Sequence, residues 1–246
     1  MTDFAQLSVS TQTLQTELFL QGNTRALFNL DPTRTPTWAA FAQSWHDLRQ
    51  DEYMADGGTY RFRRYSEFHL SQATDTLRIL PHKPYRQSKE DNYLNGETDR
   101  LYSPMLEDIQ ENTAFKQVLC SFAGVMAPLC PSAEWLVQVF QNRILAASDG
   151  QPGQPTPEGI HRDGVDSVLT LLIQRDNVDG GKSFTYAQDG KTLQACVTLK
   201  KAGDFIFLND KLMKHSVQPV NRLDPAKEGY RDALIVMFTQ QSAVKP

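Results

Sequence analysis

The chain has 246 residues, 40% of them apolar, and 25 Lys plus Arg against 29 Asp plus Glu give it a formal net charge of −4. That balance argues against a surface that tracks nucleic-acid phosphates, which requires clustered cations. The apolar content excludes a disordered polyelectrolyte and predicts a packed core.

In chain order, the opening MTDFAQLSVSTQTLQTELF lacks a cationic start followed by an apolar stretch, so it does not read as a secretory signal. Trp38, Phe41, Trp45 and Leu48 recur at helical spacing after Thr35-Pro36, a pair suited to a helix start. The segment Pro81 to Pro104, which carries Tyr85, Tyr93 and Tyr102, is polar and turn-rich and reads as a long loop or lid. A second apolar stripe, Phe115, Val118, Leu119, Phe122, Val125 and Met126, follows Asn112-Thr113 and predicts a helix with one buried face. The longest nearly apolar run, 122–131, falls well short of the roughly 20 residues that span a bilayer. Cys120, Cys130 and Cys196 are odd in number and lack CxxC spacing, which predicts buried thiols in a reducing compartment. The expectation is a soluble, cytoplasmic protein with neither nucleic acid nor membrane as a partner.

From Trp135 the pattern changes to short apolar or β-branched runs separated by turn signals. Strands are predicted over 135–146, 168–174, 193–199, 204–208, 215–220 and 232–239, with turns at Asp179-Gly180-Gly181, Asp189-Gly190 and Ala202-Gly203-Asp204. So many short strands read as an antiparallel sandwich or jelly roll. The expected architecture is α+β with a mainly β core and one domain over 1–246, in which a helical and loop region (1–134) packs outside a β core (135–246).

The chemistry concentrates in GIHRDGVDSV. Residues two apart in an extended segment share a face, so His161 and Asp163 present an imidazole and a carboxylate together. Residue frequencies supply roughly 0.4 such triplets by chance, which makes the triplet weak alone. His215, 52 residues on, and Arg231, 16 residues further and opening RDALIVMF, strengthen it. Two imidazoles and one carboxylate on one face suit non-haem Fe(II), because three positions stay open for a co-substrate and O2. An Arg at Arg231 supplies a guanidinium fork for a carboxylate.

The passages PEGIHRDGVDSV, NVDGGKSFTY, AGDFIFLND through KHSVQPV, and YRDALIVMFT, in that order, resemble the Fe(II)- and 2-oxoglutarate-dependent dioxygenases. The resemblance is closest to the bacterial branch of free-amino-acid hydroxylases that includes the L-isoleucine 4-hydroxylases. It covers roughly residues 135–240, and YRFRRYSEF and DNYLNGETDRLYSP match more loosely. It implies a double-stranded β-helix, a cupin-like jelly roll, with His161, Asp163 and His215 as iron ligands and Arg231 on the distal carboxylate of 2-oxoglutarate. It also implies O2 as co-substrate and succinate and CO2 as products. Halogenating relatives replace the ligand carboxylate by a small residue, so Asp163 favours hydroxylation.

The implied substrate is a small free L-amino acid, aliphatic or oxidised at sulfur; tailoring of a peptide or other metabolite, and a metal-binding sensing module without turnover, are the alternatives. A buried amino acid needs partners for its carboxylate and its ammonium. Arg143 and Glu158 are the candidates, whereas Arg162 is expected to turn away by alternation. Arg61, Arg63 and Arg64 read as a solvated face, and His46, His69 and His82 as non-ligands.

Overall fold

The computed structural model describes residues 4–74, 76–94, 96–130, 133–146 and 151–241, and the chain is mainly β. The first half contains α1 (Phe4–Glu17), β1 (Phe19–Asn23), α2 (Thr24–Phe28), α3 (Trp38–Gln43), β2 (Arg49–Gln50), β3 (Arg61–Ser71), β4 (Thr76–Ile79), α4 (Glu107–Gln110) and α5 (Thr113–Met126). The second half adds β5 (Glu134–Ala146), β6 (Ser167–Asp176), β7 (Val178–Gly180), β8 (Lys182–Ala187), β9 (Leu193–Thr198), β10 (Asp204–Asn209), β11 (Met213–Val217), β12 (Val220–Arg222) and β13 (Gly229–Gln241). An antiparallel eight-stranded sheet runs β1-β10-β6-β13-β5-β3-β2, with β4 also on β3. Two small sheets, β11-β8-β9 and β12-β7, complete the strands.

Alternation along the long strands sorts the large sheet into two faces. On β13, Leu234, Val236 and Phe238 join the main apolar cluster, while Arg231, Ala233, Ile235 and Met237 line a cavity. On β5, Trp135, Val137 and Val139 take the first face, and Phe140, Asn142 and Ile144 take the second. The first face is covered by α5, whose Asn112 cap accepts the Phe115 N–H at 3.1 Å. Phe122 of α5 is fully buried, with ring centroids 4.9 Å from Phe28, 4.8 Å from Phe205 and 5.2 Å from Phe207. Truncating it leaves a cavity that rigid strands cannot fill. Phe122→Ala is therefore expected to cost about 3–5 kcal/mol in urea unfolding, and a cost under about 1 kcal/mol would show that α5 contributes little to the core.

The expected division into a helical first half and a β second half is too sharp. The eleven-residue strand β3 pairs with β5 along its whole length, and β1 pairs with β10, so both halves build the large sheet. The cue in YRFRRYSEFHLS was masked because both faces of β3 are covered, and a doubly buried strand shows no polar alternation. The Trp38 stripe is helical only to Gln43 and continues as a 3₁₀ turn over Ser44–Asp47. The strand expected over 215–220 is two strands, β11 and β12, on different small sheets, separated at Gln218-Pro219. Cys196 is exposed rather than buried, and Cys120 and Cys130 are half-buried. Among the described residues, no helix is long and apolar enough to cross a membrane.

Candidate active site

His161 and His215 face each other across an antiparallel bridge and exchange backbone N–H···O bonds of 3.0 and 2.9 Å. Opposed residues point to one side, and the imidazole centroids lie 4.4 Å apart. Asp163 brings Oδ1 to 3.8 Å from His161 Nε2 and Oδ2 to 3.5 Å from His215 Nε2. One ligand atom from each residue lies within 4.8 Å of the others, and among the described residues no other group of three His, Cys, Asp or Glu does this. His161 Nδ1 sits 3.0 Å from the Gly159 carbonyl, which places the ring proton there and leaves the Nε2 lone pair for a metal.

Charge in this cluster is frustrated without a cation. Burial raises the Asp163 carboxyl to about 7 despite the pull of His161, and the Asp210 and Glu158 carboxylates push the same way. Burial and then His161 hold His215 well below its ordinary value, so it is a neutral imidazole. His161 moves up: burial opposes its charge, but Glu158 and Asp163 outweigh it. Neutral imidazole next to clustered carboxylate is a donor set that suits a divalent metal.

The triad lines a cavity, and Arg231 lines the same space. Its guanidinium is buried, and among the described residues Nε and Nη2 have no hydrogen-bond partner. Burial, followed by repulsion from Arg175, lowers it to about 10. A buried fork with orphaned N–H groups fits a ligand carboxylate. Gly181 packs closely against this side chain: its φ is +67°, and a Cβ there would stand 3.2 Å from Arg231 Cδ. The donor set at the triad and the orphaned fork together fit a metal and an anionic co-substrate.

A third group lies in the same cavity. Arg61 and Arg63 are buried and share one carboxylate, Asp51 Oδ2, at 2.8 and 3.2 Å. Arg63 also stacks over Phe140 and Tyr102, 4.8 and 5.2 Å from their centroids. Glu158 lines the cavity beside them, with Oε1 3.4 Å from His161 Nε2. The reading of these arginines as a solvated face is therefore wrong, since alternation on β3 aims Arg61 and Arg63 at the cavity. Arg64 turns the other way, to Asp47 and the Pro104 carbonyl.

Arg143 is also corrected. It points to the opposite face of β5 from the cavity, makes a bidentate pair with Asp232 at 2.7 Å, and stacks over Tyr230. Arg162 turns away as expected and bonds Asp91 at 2.9 Å. The 81–104 loop supplies cavity wall through Tyr85, Gln87, Asn92 and Arg100; Tyr85 and Tyr102 are buried and Tyr93 is exposed. The loop was expected as a lid through its tyrosines, but Gln87, Asn92 and Arg100 went unread in the sequence, and so did Asp210, an acid five residues before His215 in an unremarkable turn.

The family model for 2OG-Fe dioxygenases matches residues 42–237. The chain belongs to the 2OG-Fe dioxygenase family. As such it is an oxidoreductase that uses Fe(II), 2-oxoglutarate and O2. Among curated relatives, the 3(1)-hydroxy-L-isoleucine 4-dioxygenase of Pantoea ananatis is 25% identical over 183 residues, 72% of each chain. The bifunctional enzyme flvA of Aspergillus flavus is 23% identical over 228 residues, which is 83% of this dioxygenase but 27% of the fungal protein. Among solved structures, a BsmA homologue from Methylobium petroleophilum has a TM-score of 0.85 at 28% identity, covering 95% of this chain and 92% of that one. The Fe(II)/α-ketoglutarate-dependent dioxygenase TqaL shares the fold, with a TM-score of 0.76 at 20% identity over 98% of this chain and 89% of its own.

Proposed function

We propose that this dioxygenase hydroxylates a small free L-amino acid and releases succinate and CO2, acting as a single catalytic domain. In this reading the large sheet and the two small sheets form a double-stranded β-helix with His161, Asp163 and His215 as iron ligands at its mouth. Arg231 takes the distal carboxylate of 2-oxoglutarate. Bound iron supplies the activation of O2 and the oxidation of the C–H bond.

The observation that carries the substrate class is the charge of the third group. Two buried guanidinium groups on one carboxylate leave one positive charge, and Glu158 beside them is negative. That pair matches a zwitterion, whose carboxylate and ammonium must both be met when water is excluded. The Pantoea relative, whose name specifies a hydroxylated isoleucine, supports the same class. Ile144, Ala233, Ile235 and Met237 form an apolar stretch of the wall, suited to a short side chain and to keeping water from the reacting carbon.

The test is succinate release with Fe(II) and 2-oxoglutarate across a panel of free amino acids. Stimulation by one of them is expected; stimulation by none, with a metabolite or peptide active instead, contradicts the substrate class. Glu158→Gln is expected to raise the KM for that amino acid about 10- to 100-fold, the loss of one charged hydrogen bond, with the KM for 2-oxoglutarate little changed. An unchanged amino-acid KM removes Glu158 from the ammonium contact.

A further inference from the structure

A buried acid stands behind the triad. Asp210 follows β10 and is fully buried. Its Oδ2 accepts three consecutive backbone N–H groups, from Asp163 at 3.0 Å, Gly164 at 2.8 Å and Val165 at 3.1 Å, and its Oδ1 stands 3.1 Å from the Asp163 N–H. Three successive amides converge on one oxygen because Gly164 adopts φ +81°, a left-handed conformation that most side chains resist. Asp210 Oδ1 also lies 3.9 Å from His215 Nδ1, a buried ring nitrogen with no hydrogen-bond partner among the described residues.

We propose that Asp210 is the positioning residue of the metal site, holding Asp163 through its backbone and His215 through its Nδ1–H. The inference rests on the triad reading above. A metal on His215 Nε2 requires the ring proton on Nδ1, and that proton needs an acceptor to fix the tautomer and ring angle. Asp210 Oδ1 is the carboxylate oxygen that faces this nitrogen, at 3.9 Å, and must close by several tenths of an ångström to accept its proton. The same side chain fixes the turn that separates His161 from β6, so one carboxylate couples ligands that lie 52 residues apart in the chain. The strand pairing supplies His161 and His215 in register, but nothing in that pairing sets the direction of Asp163. The amide cradle on Asp210 does.

The test uses Asp210→Asn, which keeps the shape but replaces one acceptor oxygen with a donor, and Asp210→Glu, which keeps the charge. Anaerobic titration with Co(II), followed by its visible absorption, reads metal affinity and ligand geometry in the full chain. Circular dichroism melting of the metal-free proteins checks folding. Asp210→Asn is expected to weaken Co(II) binding about 10- to 100-fold and to alter the band shape, as loss of a partner behind a ligand does. Asp210→Glu is expected to restore part of the affinity. Folded Asp210→Asn that binds Co(II) within about twofold of wild type, with an unchanged spectrum, overturns the proposal and leaves the triad standing. Wild-type protein that binds no Co(II) overturns the triad reading and the proposal with it.

Discussion

Replacing either His161 or His215 by Ala is expected to abolish metal binding and turnover together. Loss of a partner behind a ligand already costs about 10- to 100-fold in affinity, so loss of the ligand itself is expected to exceed about 100-fold. The two rings face each other across one bridge and share Asp163, and among the described residues no other group of three His, Cys, Asp or Glu brings its ligand atoms as close together. The fold should survive, because the main apolar cluster lies on the other face of the large sheet. Anaerobic Fe(II) titration with 2-oxoglutarate present, read by its visible charge-transfer band, checks the metal half. Succinate release checks the turnover half. A His215→Ala protein that still forms the band would remove His215 from the metal site.

Arg231→Leu is expected to separate the co-substrate from the metal. The two unpartnered nitrogens of the buried guanidinium correspond to charged hydrogen bonds of about 1.5–3 kcal/mol, and losing them should raise the KM for 2-oxoglutarate by about 10- to 100-fold. Metal binding without 2-oxoglutarate should be unaltered. Arg231→Lys should recover little, since a point charge cannot make the fork and the neighbouring Gly181 fits close against the Arg stem. A KM for 2-oxoglutarate unchanged in Arg231→Leu would assign this cation to another ligand.

How much of this site was legible in the sequence follows from how locally each residue is determined. His161 and Asp163 are two apart, a spacing that in extended backbone suggests one shared side, but the turn at 163–165 that sets the carboxylate is held by Asp210. His215 and Arg231 are distant, and composition and spacing alone do not bring them together; the ordered match to a known family does. The orientation of Arg143 was missed because a strand residue has two possible faces, and the register against Asp232 on β13 decides between them. The same uncertainty hid Arg61 and Arg63: an RFRR run with charge at three of four positions resembles a surface, and burial becomes intelligible only with Asp51 beneath and Phe140 and Tyr102 alongside. Asp210 left no pattern at all, since it acts on backbone amides 45 to 47 residues away whose convergence depends on the left-handed turn at Gly164. The fold shows the same limit. The α5 stripe was readable by periodicity and the long strands of the second half as apolar or β-branched runs between turn signals, whereas β3, buried on both faces like β6, carries charged residues in its run and shows neither signal.

The most direct measurement is mass spectrometry of the products after the purified dioxygenase is incubated aerobically with Fe(II), 2-oxoglutarate and a mixture of free L-amino acids. One amino acid is expected to gain the mass of a single oxygen atom, with succinate formed in equal amount and neither product formed by His161→Ala. No oxygen gain on any amino acid, while the wild-type protein still converts 2-oxoglutarate to succinate with a different class of molecule, would contradict the account.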